Sequence, residues 1–130
     1  MVKAKAGSQL TAGERGDAAE VQALAHLMRQ GLTLVRRNYR VAAGPRARGG
    51  EVDLILRDAG GTLVFVEVRA RGDLRHGGAA ASVGAAKQRS IVLAARHFLL
   101  TLRTLPPCRF DVVAVDGERI EWLQAAFDAT

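Results

Sequence analysis

Residues 51–70 read EVDLILRDAGGTLVFVEVRA, two apolar runs joined by a short turn-rich link. Each run is rich in Val, Leu, Ile or Phe and is of strand length. The Ala59-Gly60-Gly61 link suits a hairpin. The reading therefore assigns strands to residues 51–58 and 62–70. Side chains alternate along a strand. In the later run Val64, Val66 and Val68 point one way, and Phe65, Glu67 and Arg69 the other. In the earlier run Glu51, Asp53 and Ile55 share a face. If the two strands pair, Asp53 and Glu67 meet on a common face.

A charge inside VDLIL and another inside VFVEV conflict with the burial that such apolar strands require, because an unpaired buried carboxylate is costly. Conflicts of this kind gather at functional sites. Two facing carboxylates repel unless a cation lies between them. A hard divalent ion such as Mg²⁺ is held by one or two carboxylates, with water and substrate phosphate oxygens completing its shell. Such an ion can polarise a phosphodiester and activate a water. Arg69, always charged, suits the negative charge that builds in the transition state. The same residues also suit a plain ion network in which Asp53 and Glu67 pair with Arg69 and another arginine. Spacing alone leaves both readings open.

Outward from this hairpin, Ala18, Val21, Leu24, Ala25, Leu27 and Met28 approximate helical spacing, so residues 17–30 read as a helix stopped by Gly31. Residues 32–41 read as a strand. A Gly-rich loop over residues 42–50 carries Arg46 and Arg48, and a second, over residues 71–81, carries Arg71, Arg75 and a chance RGD triplet. Ser82 is placed to cap a helix over residues 83–100, with Lys87 and Gln88 in its early turns. After Pro106-Pro107 come strands over residues 109–115 and 118–124, the latter short. Residues 125–130 read as a last helical turn or a frayed tail. A helix between the third and fourth strands permits a parallel crossover, so the fold class is α/β, a mixed central sheet flanked by helices.

The chain has 130 residues, 48% of them hydrophobic, which suits one domain over residues 16–130 behind a flexible basic N-terminus, residues 1–15. The formal charge is +6, favouring a polyanionic partner, above all nucleic acid. Arg46, Arg48, Arg71 and Arg75 in the two loops would contact phosphates without reading bases. No apolar run reaches the ~18 residues of a spanning helix, and no signal peptide is read, so no membrane partner and a cytoplasmic location are expected. Cys108 is the single cysteine and reads as a packing residue, which excludes an intramolecular disulfide. His26, His76 and His97 form no ligand set and read as packing or surface residues, as do Tyr39 and Trp122.

GGEVDLILRD, LVFVEVRAR, the following SVxxxKQ helix and RFDVVAV resemble the small bacterial YraN-like proteins over residues 16–127. That family is described as uncharacterised and is placed in the PD-(D/E)XK nuclease superfamily, near archaeal Holliday junction resolvases. The resemblance implies a restriction-endonuclease-like αβββαβ core. It implies a metal-dependent endonuclease acting on DNA, including branched or structured DNA, with Mg²⁺ or Mn²⁺ as cofactor. Asp53 matches the motif aspartate and Glu67 the second acidic ligand, with the Val68 carbonyl as a further ligand and Glu20 assisting from the first helix. Arg69 stands where nucleases of this superfamily usually carry lysine. Gln88 would touch substrate or a metal-bound water, and Lys87 would reach a phosphate. Ala19 stands where family members usually have glycine. Arginine cannot deprotonate and so cannot be a general base. That departure keeps open the alternative of a non-catalytic nucleic-acid-binding protein with the nuclease fold, or of a structural subunit. Symmetric cutting of a junction would need a homodimer.

Overall fold

The computed structural model describes residues 12–70 and 78–129. In chain order these form α1 (Ala12–Arg29), β1 (Thr33–Val41), β2 (Gly50–Arg57), β3 (Leu63–Ala70), α2 (Gly78–Ala81), α3 (Ala85–Leu99), β4 (Cys108–Asp116) and β5 (Arg119–Phe127). The strands make one five-stranded sheet in the order β1-β2-β3-β4-β5. β3 and β4 are parallel, with α3 in the crossover between them, and the other neighbours are antiparallel. This is the mixed, helix-flanked α/β sheet expected from the sequence, compatible with a restriction-endonuclease-like core.

β3 lies at the centre and is buried on both faces. Val64, Val66 and Val68 pack with Ala19, Ala23 and Leu27 of α1. Leu63 and Phe65 pack with Ile91, Ala94, Ala95 and Phe98 of α3. Period-2 alternation on β3 thus meets a helical stripe on each side. Burying a side chain such as Phe65 contributes roughly 1.5–3 kcal/mol. Gly31, at φ +98, ends α1 in the left-handed region, with the Leu32 amide bonded to the Leu27 carbonyl.

Three boundaries differ from the sequence reading. α1 begins at Ala12, within the stretch read as a flexible tail; its first turns carry no apolar stripe that would mark them in the sequence, and Ala19 is the first buried residue among its described side chains. α3 begins at Ala85 with Gly84 in the N-cap position, not Ser82. The Ser82 hydroxyl donates to the Ala79 carbonyl at 2.6 Å, closing the short α2 that the pattern did not reveal. β5 runs on through Phe127, in place of a helical turn or frayed tail, because Phe127 stacks on Phe110 at 5.1 Å and pins the strand end to the core. Among the described residues no helix is long and apolar enough to cross a membrane.

α3 lies tight against the start of β2. A Cβ on Gly50 would collide with the Ser90 carbonyl oxygen and approach Leu93 Cδ2 at 3.0 Å and Ala94 N at 3.1 Å. The close approach lets the Glu51 amide donate to Ser90 Oγ at 3.1 Å. Gly50→Ala is expected to lower stability by about 1–3 kcal/mol through overpacking. The denaturant midpoint would fall with the slope unchanged, and a midpoint equal to wild type would show that the two elements are not wedged together here.

Candidate metal centre at the β2–β3 edge

The site begins with a break in β2. Ladder pairing with β3 runs from Arg57–Leu63 to Leu54–Val66 and stops there. On the other side the pairs pass from Arg37–Leu54 to Tyr39–Val52, stepping over Asp53 and over Asn38, whose φ is +50. The two neighbours of Asp53 face opposite ways: Val52 packs with the α3 cluster and Leu54 with the α1 cluster. Strict alternation, which sets Glu51, Asp53 and Ile55 on one face, therefore fails at Asp53, since the strand turns over there. The Asp53 side chain replaces the lost ladder bond. Its Oδ2 accepts from the Val68 amide at 2.8 Å.

Glu67 is 3% exposed, and its Oε2 lies 3.3 Å from Arg69 Nη1 and 3.8 Å from Lys87 Nζ. Its Oε1 is buried without a hydrogen-bond partner. Burial first, and then the charge of Asp53, push the Glu67 carboxyl up to about 8. Burial also raises Asp53, while the Val68 amide and a hydrogen bond shared with Glu67 pull it back. The two carboxyls titrate as a pair and share one proton between them.

Cations crowd one side of this pair. Arg69 is held by the Ser82 hydroxyl through Nε at 3.3 Å and by the Ser82 carbonyl through Nη2 at 3.2 Å. Lys87 Nζ reaches Glu51 Oε1 at 3.3 Å. Burial alone would lower the Lys87 amine, but Glu67 and Glu51 more than offset it and its pKa is raised. Glu51 also meets Arg40 Nε at 3.3 Å. Glu20 on α1 lies in the field of Asp53: burial first and Asp53 second raise it, with Arg37 opposing.

The structure thus brings Asp53, Glu67, Val68, Arg69 and Lys87 together, with Glu20 beside them. Among the described residues no three His, Cys, Asp or Glu side chains are placed to share one ion. Gln88 stands apart, its amide donating to the Val83 carbonyl at 3.0 Å and its side chain lining a cleft on the outer side of α3. Arg46 and Arg48 are exposed on the loop before β2. Arg71, Arg75, the RGD triplet and His76 lie outside the described residues. Sequence reasoning missed Glu51 and Ser82 as members of the cluster. The signal for Glu51 was its place two residues before Asp53; nothing marked Ser82 as the anchor of Arg69.

A second buried carboxylate shows what a purely structural one looks like. Asp111 is fully buried and accepts from Arg109 Nε, from Trp122 Nε1 at 2.9 Å and from the Ala125 amide at 2.9 Å. Arg109 also meets Asp58 at 3.3 Å. Both Asp111 oxygens accept from N–H donors, whereas Glu67 Oε1 meets no donor beyond the proton shared with Asp53. His26, His97, Tyr39 and Trp122 pack as expected: His97 Nδ1 lies 2.6 Å from the Tyr39 hydroxyl, and His26 sits edge-on to Trp122. Cys108 is exposed, not packed, because it opens β4 at the rim of the sheet, and partial burial raises its thiol pKa.

A five-stranded mixed sheet flanked by helices, with a coupled carboxylate pair where two strands part, defines the class: an α/β protein compatible with the restriction-endonuclease-like core. The model of Uncharacterised protein family UPF0102 matches residues 19–115, and the chain belongs to that family, the YraN family. It is 65% identical to a UPF0102 protein of Methylibium petroleiphilum over 88% of this chain and 94% of that relative. A UPF0102 protein of Paracidovorax citrulli is 59% identical over 95% of this chain and 90% of its own length. One from Cupriavidus taiwanensis is 62% identical over 88% and 83%.

Proposed function

We propose that this protein is a metal-dependent endonuclease that hydrolyses phosphodiester bonds in DNA, with Mg²⁺ or Mn²⁺ at the Asp53–Glu67 pair. The observation that carries the reading is a pair of buried carboxyl groups in which Glu67 Oε1 meets no donor beyond the proton it shares with Asp53. Left alone, such a pair must hold a proton; a divalent cation relieves the same repulsion and gives the oxygen its partner. The residues fit the ion. Asp53 and Glu67 supply the one or two carboxylates that Mg²⁺ takes from protein, leaving room for water and phosphate oxygens. Val68 adds a carbonyl: its amide points from β3 toward Asp53, and the carbonyl of a strand residue projects from the same edge as its amide.

When bound, the ion supplies Lewis acidity toward the phosphodiester and lowers the pKa of a coordinated water. Asp53 orients one side of the site through its bond to the Val68 amide. Lys87, cationic and 3.8 Å from Glu67, is placed to meet a substrate phosphate. Hydrolysis adds water across one P–O bond, leaving a phosphate monoester and a free hydroxyl.

The test is incubation of the full chain with single-stranded, flap and four-way-junction DNA in Mg²⁺ or Mn²⁺, with a chelated control. Metal-dependent cutting of at least one substrate is expected; no cutting of any of them overturns the reading. One observation favours a second reading, a nucleic-acid-binding protein that keeps the fold without turnover: Ser82 and Glu67 hold Arg69 on three of its donors, away from a free phosphate-facing pose. That reading predicts DNA binding of equal strength with and without chelator, and no cut product.

A further inference from the structure

Three clefts that share lining residues follow one another from Glu51 along the outer side of α3. The first, of about 500 Å³, is lined by Arg40, Glu51 and Ser90. The second, of about 400 Å³, shares Gly49 and Ser90 with the first and adds Arg48 and Arg89. The third, of about 530 Å³, shares Arg89 and Leu93 with the second and ends at Arg96. The shared residues make this one trough. Its near end lies one side chain away from the candidate metal centre, because Lys87 meets both Glu51, in the first cleft, at 3.3 Å and Glu67 at 3.8 Å.

We infer that this trough is the track for a nucleic-acid strand leaving the cleavage site, with Arg48, Arg89 and Arg96 on its phosphates. The inference rests on the endonuclease reading and deepens it by naming the path. Arg48 and Arg89 are exposed and form no ion pair among the described residues. Arg96 gives one N–H to the Ala129 carbonyl at 3.1 Å, and a guanidinium has five to offer. Arg89 and Arg96 are two helical turns apart on α3, which puts them about 10 Å apart along one face. That spacing matches a flexible polyanion running along the helix better than it matches one small anion. Asp128 lines the far cleft beside Arg96 and marks where the positive lining ends. Between the arginines the lining is Val92 and Leu93, apolar surface, and the Gln88 amide at the cleft's edge already donates to the Val83 carbonyl, so the arginines' contacts to phosphates dominate.

The experiment measures anisotropy of a labelled DNA 20-mer, single-stranded and duplex, in chelator so that no cleavage intervenes. Wild type is compared with Arg89→Gln/Arg96→Gln and with Arg29→Gln, an exposed position on α1 across the sheet. The double variant is expected to bind at least roughly tenfold more weakly at moderate salt, with its log–log salt slope reduced by about 2. Arg29→Gln is expected to stay within about twofold of wild type. If the double variant binds no worse than Arg29→Gln while wild type binds DNA, the track is wrong and the endonuclease reading stands. If wild type binds neither form the track is wrong, and the endonuclease reading is decided separately by cutting in Mg²⁺ or Mn²⁺. Preference for the single strand or the duplex identifies which form the trough accepts.

Discussion

Asp53→Asn is expected to leave a folded, more stable protein that has lost about a thousandfold or more of its DNA cleavage. The asparagine oxygen can still accept the Val68 amide bond now made by Asp53 at 2.8 Å. Removing its charge ends the repulsion that helps to drive Glu67 up to about 8. Apo stability should therefore rise, by roughly 1 kcal/mol if Glu67 recovers one pKa unit. The cation loses a charged ligand, and loss of a single preorganised charge-stabilising group already costs 10²–10³ in rate. Asp53→Ala makes the comparison sharper. It removes the charge too, but it strands the Val68 amide at an unpaired strand end, at a cost of roughly 1–3 kcal/mol. The two variants should be equally inactive and differ in melting temperature, Asn above Ala. Full cleavage by Asp53→Asn would remove Asp53 from the metal centre.

The second large effect is on stability as a function of pH. Glu67 titrates near 8 when folded and has an ordinary value of 4.5. Between those limits the folded chain binds a proton that the unfolded chain does not. Stability is therefore greatest below about 4.5 for this group and is lost as pH rises through about 8. At 1.36 kcal/mol per unit, the full swing has a ceiling of about 5 kcal/mol. Glu67→Gln, neutral at every pH, should flatten the curve across that window. Mg²⁺ should oppose the loss, because the ion binds the deprotonated pair and its stabilisation grows as pH rises. Denaturant melts from pH 5 to 8.5, with and without Mg²⁺, check both statements. A wild-type curve as flat as that of Glu67→Gln would show that the two carboxyls do not share a proton.

β3 was legible from the sequence because it is paired with β4 along its length and is buried on both faces, where period-2 alternation must hold. β2 was half legible. Its apolar residues announced a strand, but alternation cannot register the turn at Asp53, which arises from the parting of β2 and β3. The meeting of Asp53 with Glu67 survived for a different reason: the Asp53 side chain reaches across the gap to the Val68 amide. Pattern reading also failed where tertiary contacts override local preference. Ser82 had the chemistry of a helix cap and serves instead as the anchor of Arg69. Phe127 looked like part of a tail until Phe110 was found beneath it. Glu51 was hidden by its ordinary position at a strand start, and only the approach of α3 gives it Lys87. The bounds and polarity of the Arg46–Arg48 loop were readable, but its neighbours were not, because they lie on α3, some forty residues further along the chain.

Asp53 serves two ends at once, because the group that would bind the ion also satisfies a backbone amide. Glu67 holds no backbone group; it accepts from Arg69 and faces Lys87, and without an ion its charge is a burden beside Asp53. The two residues would therefore fare differently in a lineage that abandoned the chemistry. Drift would be free to replace Glu67 with glutamine, which keeps an acceptor for Arg69 without the charge that Asp53 repels. Asp53 would be retained, or would become asparagine, long after any activity had gone. An aspartate at position 53 is thus a weak witness to catalysis across descendants of this fold, and a glutamate at position 67 is the strong one.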